Sequence, residues 1–314
     1  MNSKLICEKR STHITKPTQL KRVFFSKHFL KNMVLYAILT IGAISMLVPF
    51  LWMISTSIKQ PDEVFSSGGG IQWLPEHFFW RDTVVNGRTI RAWWRNYTDA
   101  WREINFFRLY LSSIFVATVG TFGQVLTSSM AAYAFARLRF PGRDKLFFAY
   151  LATMMVPGSV TMIPVFVIMK RLGWINTYQA LIIPGLFSAY GTFMLRQFFM
   201  GLPSDLEDAA KIDGSGYVGI WARVILPLSK PALATLTTFT FMGFWGSYMW
   251  PLVVTITEEM RTLPIGLSYF VGQHATNYTQ LMAGSVIALI PVLVLFIFNQ
   301  RYFVEGIKLS GIKG

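Results

Sequence analysis

The sequence lacks most of the features that enzymes use. It has a single cysteine, Cys7, which excludes an intrachain disulfide, and only 14% of its 314 residues are charged. Its four histidines are scattered without metal-ligand spacing, and it contains no G-x-x-x-x-G-K-[ST] loop for ATP. No nucleophile–base pair stands out either. We therefore expect no catalytic residues, no metal site and no cofactor bound by this chain.

What the sequence has instead is a large apolar content. Hydrophobic residues make up 53% of the chain and the mean hydropathy is +0.44, which is not the composition of a soluble globular protein. Apolar runs long enough to cross a bilayer recur along it. They predict an all-α integral membrane protein with six transmembrane helices, at about 33–55, 109–136, 146–169, 178–199, 232–256 and 281–298.

The predicted spans contain prolines but few ionisable residues. Pro157, Pro164 and Pro184 predict broken or kinked helices, which are common in transporters. Apart from Arg196 near the end of the fourth span, no span carries an Asp, Glu, Lys, Arg or His. Ion-coupled carriers usually place such groups near the bilayer midplane, so the sequence disfavours an ion-coupled secondary transporter. That alternative stays open because backbone carbonyls can also bind sodium.

The positive charge of the chain follows its membrane topology. A net charge of +14 in a soluble protein would suggest nucleic-acid binding, but here the basic residues flank apolar spans. The short loops that follow spans two and four carry four lysines and arginines each when Arg196, at the end of span four, is counted with its loop, against two and one in the short loops on the opposite side. We therefore predict a cytoplasmic basic N-terminus (1–32), a transmembrane domain (33–303), an extracytoplasmic loop (56–108) and a cytoplasmic tail (304–314), with no nucleic-acid partner.

One cytoplasmic loop, residues 201–231, has the pattern of a helical hairpin. Ser204 followed by Glu207 predicts a capping box at the start of a first helix. Gly214 is placed to end that helix in a left-handed conformation. A second short helix is predicted from about 217 to 224, stopping before Pro227.

Two further patterns concern helix faces. Ser128, Ala132 and Ala136 form a small-residue stripe that allows another helix to approach closely. In the fifth span, the spacing of Phe241, Trp245 and Tyr248 places them on one helical face. That face could stack against sugar rings in a transport pathway, although helix packing or an interfacial aromatic belt is the simpler explanation.

The 201–231 loop resembles the EAA loop of permease subunits from binding-protein-dependent ABC importers. The family pattern is E-A-A, three residues, Gly, nine residues and I-x-L-P. Here Asp208-Ala209-Ala210 is followed at the same spacings by Gly214 and by Val224-Ile225-Leu226-Pro227. Asp208 and Val224 depart from the pattern, where the family has Glu and Ile. Asp213 matches the D-G of the sugar-transporting members.

The resemblance extends along the chain from about residue 33. Segments that look like the carbohydrate permeases of the maltose permease G-like type are Pro49–Trp52, Ala131–Arg137, Phe140–Gly142 and the tail from Gly306. It implies the ABC importer permease fold in a bacterial cytoplasmic membrane. It also implies half of a translocation pathway for a sugar or oligosaccharide.

The same resemblance implies partners and a coupling site. The partners are a second homologous permease, a dimer of ATP-binding subunits that hydrolyse ATP, an extracytoplasmic solute-binding protein and the membrane lipid. ATP is then used by the partner, and this chain is not itself an enzyme. The implied coupling residues are Asp208, Ala209, Ala210, Asp213, Gly214, Leu226 and Pro227.

Overall fold

The structure is a computed structural model that describes residues 27–64, 72–85, 87–272 and 276–311, with side chains described from 31 to 302 except at 88. Two compact units are distinguished, Met1–Phe50 and Leu51–Gly314. Most of the predicted basic N-terminal segment lies outside the described residues. The first unit contributes the N-terminal part of α1, and the account below concerns the second.

The described residues are mainly helical. The helices are α1 (Lys27–Ser57), α2 (Arg95–Glu103), α3 (Phe106–Arg137), α4 (Arg143–Ala152), α5 (Gly158–Arg171), α6 (Tyr178–Ile182), α7 (Ala189–Met200), α8 (Asp205–Ile212), α9 (Tyr217–Ile220), α10 (Leu226–Leu228), α11 (Lys230–Trp245), α12 (Met249–Val254), α13 (Leu263–Ser268) and α14 (Tyr278–Gly311). Strands β1 (Thr83–Val85) and β2 (Arg88–Ile90) pair antiparallel in the segment between α1 and α2.

Three of the six predicted spans are single helices. Lys31–Ser57, Phe106–Arg137 and Tyr278–Tyr302 are each long and apolar enough to cross a membrane, which confirms the first, second and sixth spans. The third corresponds to a bent helix pair, α4 with α5 at 100°, and the fifth shares only α11 with a second bent pair, the α9–α10 segment with α11 at 84°. By length and composition, the described chain therefore has three continuous helices that could span a membrane, or up to five spans with the bent pairs. A count of six stays a prediction.

Backbone-breaking residues mark the interruptions. Pro157 precedes the first residue of α5, and Pro184 lies in a 3₁₀ turn, Ile183–Gly185, that separates α6 from α7. The fifth span was predicted as one helix over 232–256, which is wrong: α11 ends at Trp245 and α12 begins at Met249. Its break falls at Gly246–Tyr248.

Helix α3 lies against α7 and α11, and small residues permit the close approach. Ser128 and Ala132 of α3 are buried, as the small-residue stripe predicted. A methyl group added at Gly191 of α7 would lie 2.7 Å from Ser128 Oγ, so a larger residue there would force the Ser128 side chain to move. A buried cluster centred on Ala132 and Leu236 joins these three helices to the loop of residues 201–231.

A buried ion pair also connects this loop to the end of α3. Arg137 Nε lies 3.0 Å from Glu207 Oε1, and both side chains are largely buried. Neither atom has a directed hydrogen-bond partner among the described residues, so this contact is chiefly electrostatic. Arg137 Nη2 additionally donates to the carbonyls of Phe199 and Leu202, at 2.5 Å each. One guanidinium therefore joins α3, the end of α7 and α8.

We predict that Glu207→Gln destabilises the protein by about 3–5 kcal/mol, because it leaves the Arg137 charge buried without its partner. Thermal unfolding of the purified chain in detergent measures this. Asp208→Asn is the matched control, since the Asp208–Lys211 pair is exposed and such pairs add little stability. Equal melting temperatures for the two variants would contradict the structural role of the ion pair.

Candidate functional site

The loop of residues 201–231 forms a helical hairpin, named here the 201–231 hairpin. Its first arm is α8, and Gly214 follows with φ +79°, the left-handed conformation that its position predicted. The N–H of Ser215 donates to Ala210 O at 2.9 Å and that of Gly214 to Lys211 O at 3.0 Å, which closes the helix end. The turn is therefore sharp and fully hydrogen-bonded.

The predicted capping box at the start of α8 is wrong. Ser204 has helical backbone angles and makes no side-chain cap hydrogen bond. Glu207 points inward to Arg137 instead of back to the Ser204 backbone. Tertiary charge pairing has thus overridden a local capping preference.

The second arm also differs from the prediction. The helix does not stop before Pro227: α9 leads into a π-helical turn, Trp221–Ile225, and α10 continues through Pro227 to Leu228. The wider turn changes the hydrogen-bond register just before the proline, which cannot donate. The bend occurs at the buried Ser229 instead.

The hairpin has one buried and one exposed side. Ile220 and Ile225 belong to the core cluster shared with α3, α7 and α11, and Ala210 packs partly against it. On the other side, large apolar residues are uncovered: Leu206, Ile212 (87% exposed), Tyr217 and Val218 (72% exposed). The hairpin is thus anchored on one side and presents apolar surface on the other.

The predicted coupling residues divide between these two sides. Asp208, Ala209, Asp213, Gly214 and Pro227 are exposed, whereas Ala210 and Leu226 are partly buried. Asp208 Oδ1 accepts a hydrogen bond from Lys211 Nζ at 2.9 Å, and this contact raises the pKa of Lys211. The exposed side of α8 therefore carries charged groups as well as apolar residues.

A cavity of about 880 Å³ opens in the helical region. Three helix interruptions meet at it: Gly158 and Ser159 at the start of α5, Pro184 and Gly185 between α6 and α7, and Ser247 and Tyr248 between α11 and α12. Its other walls include Gln124, Tyr190, Phe239, Thr240, Phe244 and Trp250. Broken helices that converge on a cavity are a common arrangement in transporter binding sites.

Of the three aromatic residues predicted to share a pathway face, one lines this cavity. Tyr248 does so, but it lies beyond the end of α11 and does not continue the face of Phe241 and Trp245. Trp245 is buried, donates from Nε1 to Ala288 O at 3.0 Å and stacks on Phe241. Phe241 and Trp245 pack instead among α3, α11 and α14, and a pathway role for them stays a prediction.

Phe244 is a cavity residue that the sequence did not single out. A methyl group at Gly120 or Gly185 would lie 2.7 or 2.6 Å from its ring, so both positions require glycine. The ring fills the space left by these two glycines, and its cavity side stays open. The signal in the sequence was a pair of glycines in two different predicted spans, but spacing alone cannot show which side chain meets them.

The chain also matches known proteins. A profile described as binding-protein-dependent transport system inner membrane component matches residues 124–309, more than half of the chain. The arabinooligosaccharides transport system permease protein AraQ of Halalkalibacterium halodurans is 40% identical over 203 residues, or 65% of this chain and 73% of that protein. The lactose transport system permease protein LacG of Rhizobium radiobacter is 28% identical over 88% of this chain and 95% of that protein.

A solved structure shows the same fold. A chain of a bacterial ABC transporter involved in the import of the acidic polysaccharide alginate superposes with a TM-score of 0.73 and 25% sequence identity, covering 89% of this chain and 99% of that one. The helical architecture and the family profile agree. The chain therefore belongs to the inner-membrane components of binding-protein-dependent transport systems, as a permease of the carbohydrate ABC importer type.

Proposed function

We propose that this chain forms half of the translocation pathway for a sugar or oligosaccharide. We further propose that it is driven by ATP hydrolysis on a separate subunit through the 201–231 hairpin. The observation that carries this proposal is the two-sided hairpin, buried against α3, α7 and α11 and exposing Ile212 and Val218. An exposed apolar patch rimmed by charges is typical of a protein–protein contact. The anchored side supplies the rigidity that a lever needs.

Coupling in this scheme is mechanical. ATP can shift a permease between its inward and outward states only through contacts that differ between those states. A partner that moves α8 also moves Arg137 of α3, because the ion pair with Glu207 and the carbonyl contacts connect them. Asp208, Ala209 and Asp213 are on the exposed side, where they would meet the ATP-binding subunit directly.

The remaining partners follow from the family. Its description as binding-protein-dependent supports an extracytoplasmic solute-binding protein that delivers the substrate. We propose a second homologous permease opposite the open cavity, and an ATP-binding subunit dimer below the hairpin on the cytoplasmic side, where both termini also lie. The chain itself binds no ATP in this scheme.

The cavity suits a sugar chemically. Phe239, Phe244 and Tyr248 offer aromatic faces, and Gln124 and Thr240 offer polar groups beside them. Gln124 Nε2 donates to Thr240 Oγ1 at 3.1 Å, so these two polar side chains are held together. Aromatic area with a few placed polar groups is what a carbohydrate ring requires. The substrates named for AraQ and LacG support the same class.

Within this proposal, the first prediction concerns the exposed side of the hairpin. Ile212→Asp should weaken capture of the ATP-binding subunit by about 30-fold, since truncating a central interface residue costs about 2 kcal/mol. Co-purification and ATPase measurements on the reconstituted complex report this. Val84→Asp, at an exposed apolar position of β1, is the matched control. Undiminished capture by the Ile212 variant would exclude this surface as the docking site.

The second prediction tests the turn. Gly214→Val places a β-branched residue at φ +79°, at a cost of more than about 1–2 kcal/mol, so uptake should fall at least tenfold while membrane insertion is retained. Gly216→Val is the control, because Gly216 is equally open but has φ −74° and ψ 168°, which suit valine. If both variants transport normally, the hairpin is only a connector. Ion-gradient-driven uptake by this chain alone in vesicles would likewise exclude ATP coupling.

The third prediction separates the cavity from the core. Tyr248→Ala should raise the sugar concentration needed for half-maximal stimulation of the complex by roughly 3- to 10-fold, without a change in melting temperature. Trp245→Ala should instead destabilise the protein by about 3–5 kcal/mol, because it empties a packed site. Sugar-stimulated ATPase activity and thermal unfolding distinguish the two. A Tyr248 variant with unchanged sugar dependence would remove this residue from the pathway.

A further inference from the structure

Three potential metal ligands meet in the segment between α1 and α2. Glu63 ends a 3₁₀ turn, Pro61–Glu63, that follows α1, and Glu76 and His77 lie thirteen and fourteen residues later. One ligand atom from each lies within 4.8 Å of the others. The sequence shows no metal-ligand spacing here, because only the folded chain brings the two stretches together.

The distance between His77 and Glu63 fits a hydrogen bond and also fits two ligands of one ion. His77 Nδ1 lies 3.3 Å from Glu63 Oε1, longer than the ~2.7–2.9 Å of a charge-assisted hydrogen bond. Zinc binds imidazole nitrogen and carboxylate oxygen at about 2.0–2.2 Å in tetrahedral geometry, which separates neighbouring ligands by roughly 3.3–3.5 Å. The spacing therefore matches one edge of such a tetrahedron.

Neighbouring groups orient both carboxylates. Glu63 is only 7% exposed, and its Oε2 accepts from the backbone N–H of Gln60 at 3.3 Å. Glu76 Oε1 accepts from Gln72 Nε2 at 2.9 Å. Metal ligands are typically held by outer hydrogen bonds of this kind.

The amide group that holds Glu76 also carries an oxygen whose hydrogen bonding is unsatisfied. Gln72 Oε1, on the amide group that holds Glu76, is buried and has no hydrogen-bond partner among the described residues. A buried acceptor without a donor is costly, and a cation or a water bound to it would satisfy this oxygen. Lys59 does not do so, since its ammonium donates to the backbone carbonyl of Gln72 and lies over the ring of Trp52.

We propose that Glu63, Glu76 and His77 bind one Zn²⁺ ion, with water at the fourth position. Two carboxylates and a neutral imidazole balance the charge of a divalent ion and supply the donor types that zinc prefers. Calcium is disfavoured, because it takes six to eight oxygen ligands and this group includes a nitrogen. The ion would connect the segment around 76–77 to the residues just after α1. This site is independent of ATP coupling through the 201–231 hairpin.

The test is metal binding by the full chain, purified in detergent without a histidine tag and stripped with chelator. Titration calorimetry with Zn²⁺ should show one ion per chain, confirmed by elemental analysis, and Co²⁺ should give the absorption of a tetrahedral site. His77→Ala should weaken Zn²⁺ binding by ~100-fold or more, since even outer-shell partners contribute 10- to 100-fold. Gln72→Ala, which removes such a partner, should weaken it by about 10- to 100-fold.

Two further variants keep the test decisive. Glu76→Gln preserves size at an exposed position, so it should abolish tight binding without unfolding the chain. Glu103→Gln, at an exposed position of α2, should bind Zn²⁺ like the unchanged chain. Absence of stoichiometric Zn²⁺ binding by the unchanged chain would overturn the proposal. Equal affinities in the His77, Glu76 and Glu103 variants would do the same.

Discussion

The buried contact between Arg137 and Glu207 is the constraint on which the hairpin depends. Burying two charges is expensive, and their attraction offsets this cost only when further hydrogen bonds satisfy them. Arg137 meets this condition by donating to the carbonyls of Phe199 and Leu202 at the end of α7. The charge pair thus fixes α8 against two membrane helices. A displacement of α8 is therefore transmitted directly to α3 and to the end of α7.

The broken helices and the cavity have one physical origin. Proline and glycine interrupt backbone hydrogen bonding, which in a membrane is tolerated only where protein or a water-filled space covers the freed groups. Here the interruptions at Gly158, Pro184 and Ser247 face a common cavity. At one of these breaks Phe244 lies against Gly185, and its ring also lies against Gly120 of α3. Interruptions that are far apart in the sequence therefore line one cavity in the folded chain.

Local signals succeeded where the backbone itself determined the outcome. Gly214 adopts the left-handed angle that its position required, and the small residues Ser128 and Ala132 allow helices to meet. Predictions from local signals were wrong or incomplete where a side chain or carbonyl from a distant part of the sequence offered a different contact. Glu207 does not form the predicted capping box, because it pairs with the buried charge of Arg137, seventy residues earlier in the chain. Trp245 turned to the core because Ala288 O accepts its indole N–H.

The sequence alone determined that this chain spans a membrane and has the permease motif, since hydropathy and the spacing from Asp208 to Pro227 are properties of neighbours along the chain. Its resemblance to the carbohydrate permeases rested on the same local patterns. Only the tertiary structure decided which aromatic residues line the cavity, which side of the hairpin is exposed, and that His77 meets Glu63. These contacts join residues far apart in sequence, and their distances are decided by how the helices pack, which no local periodicity encodes.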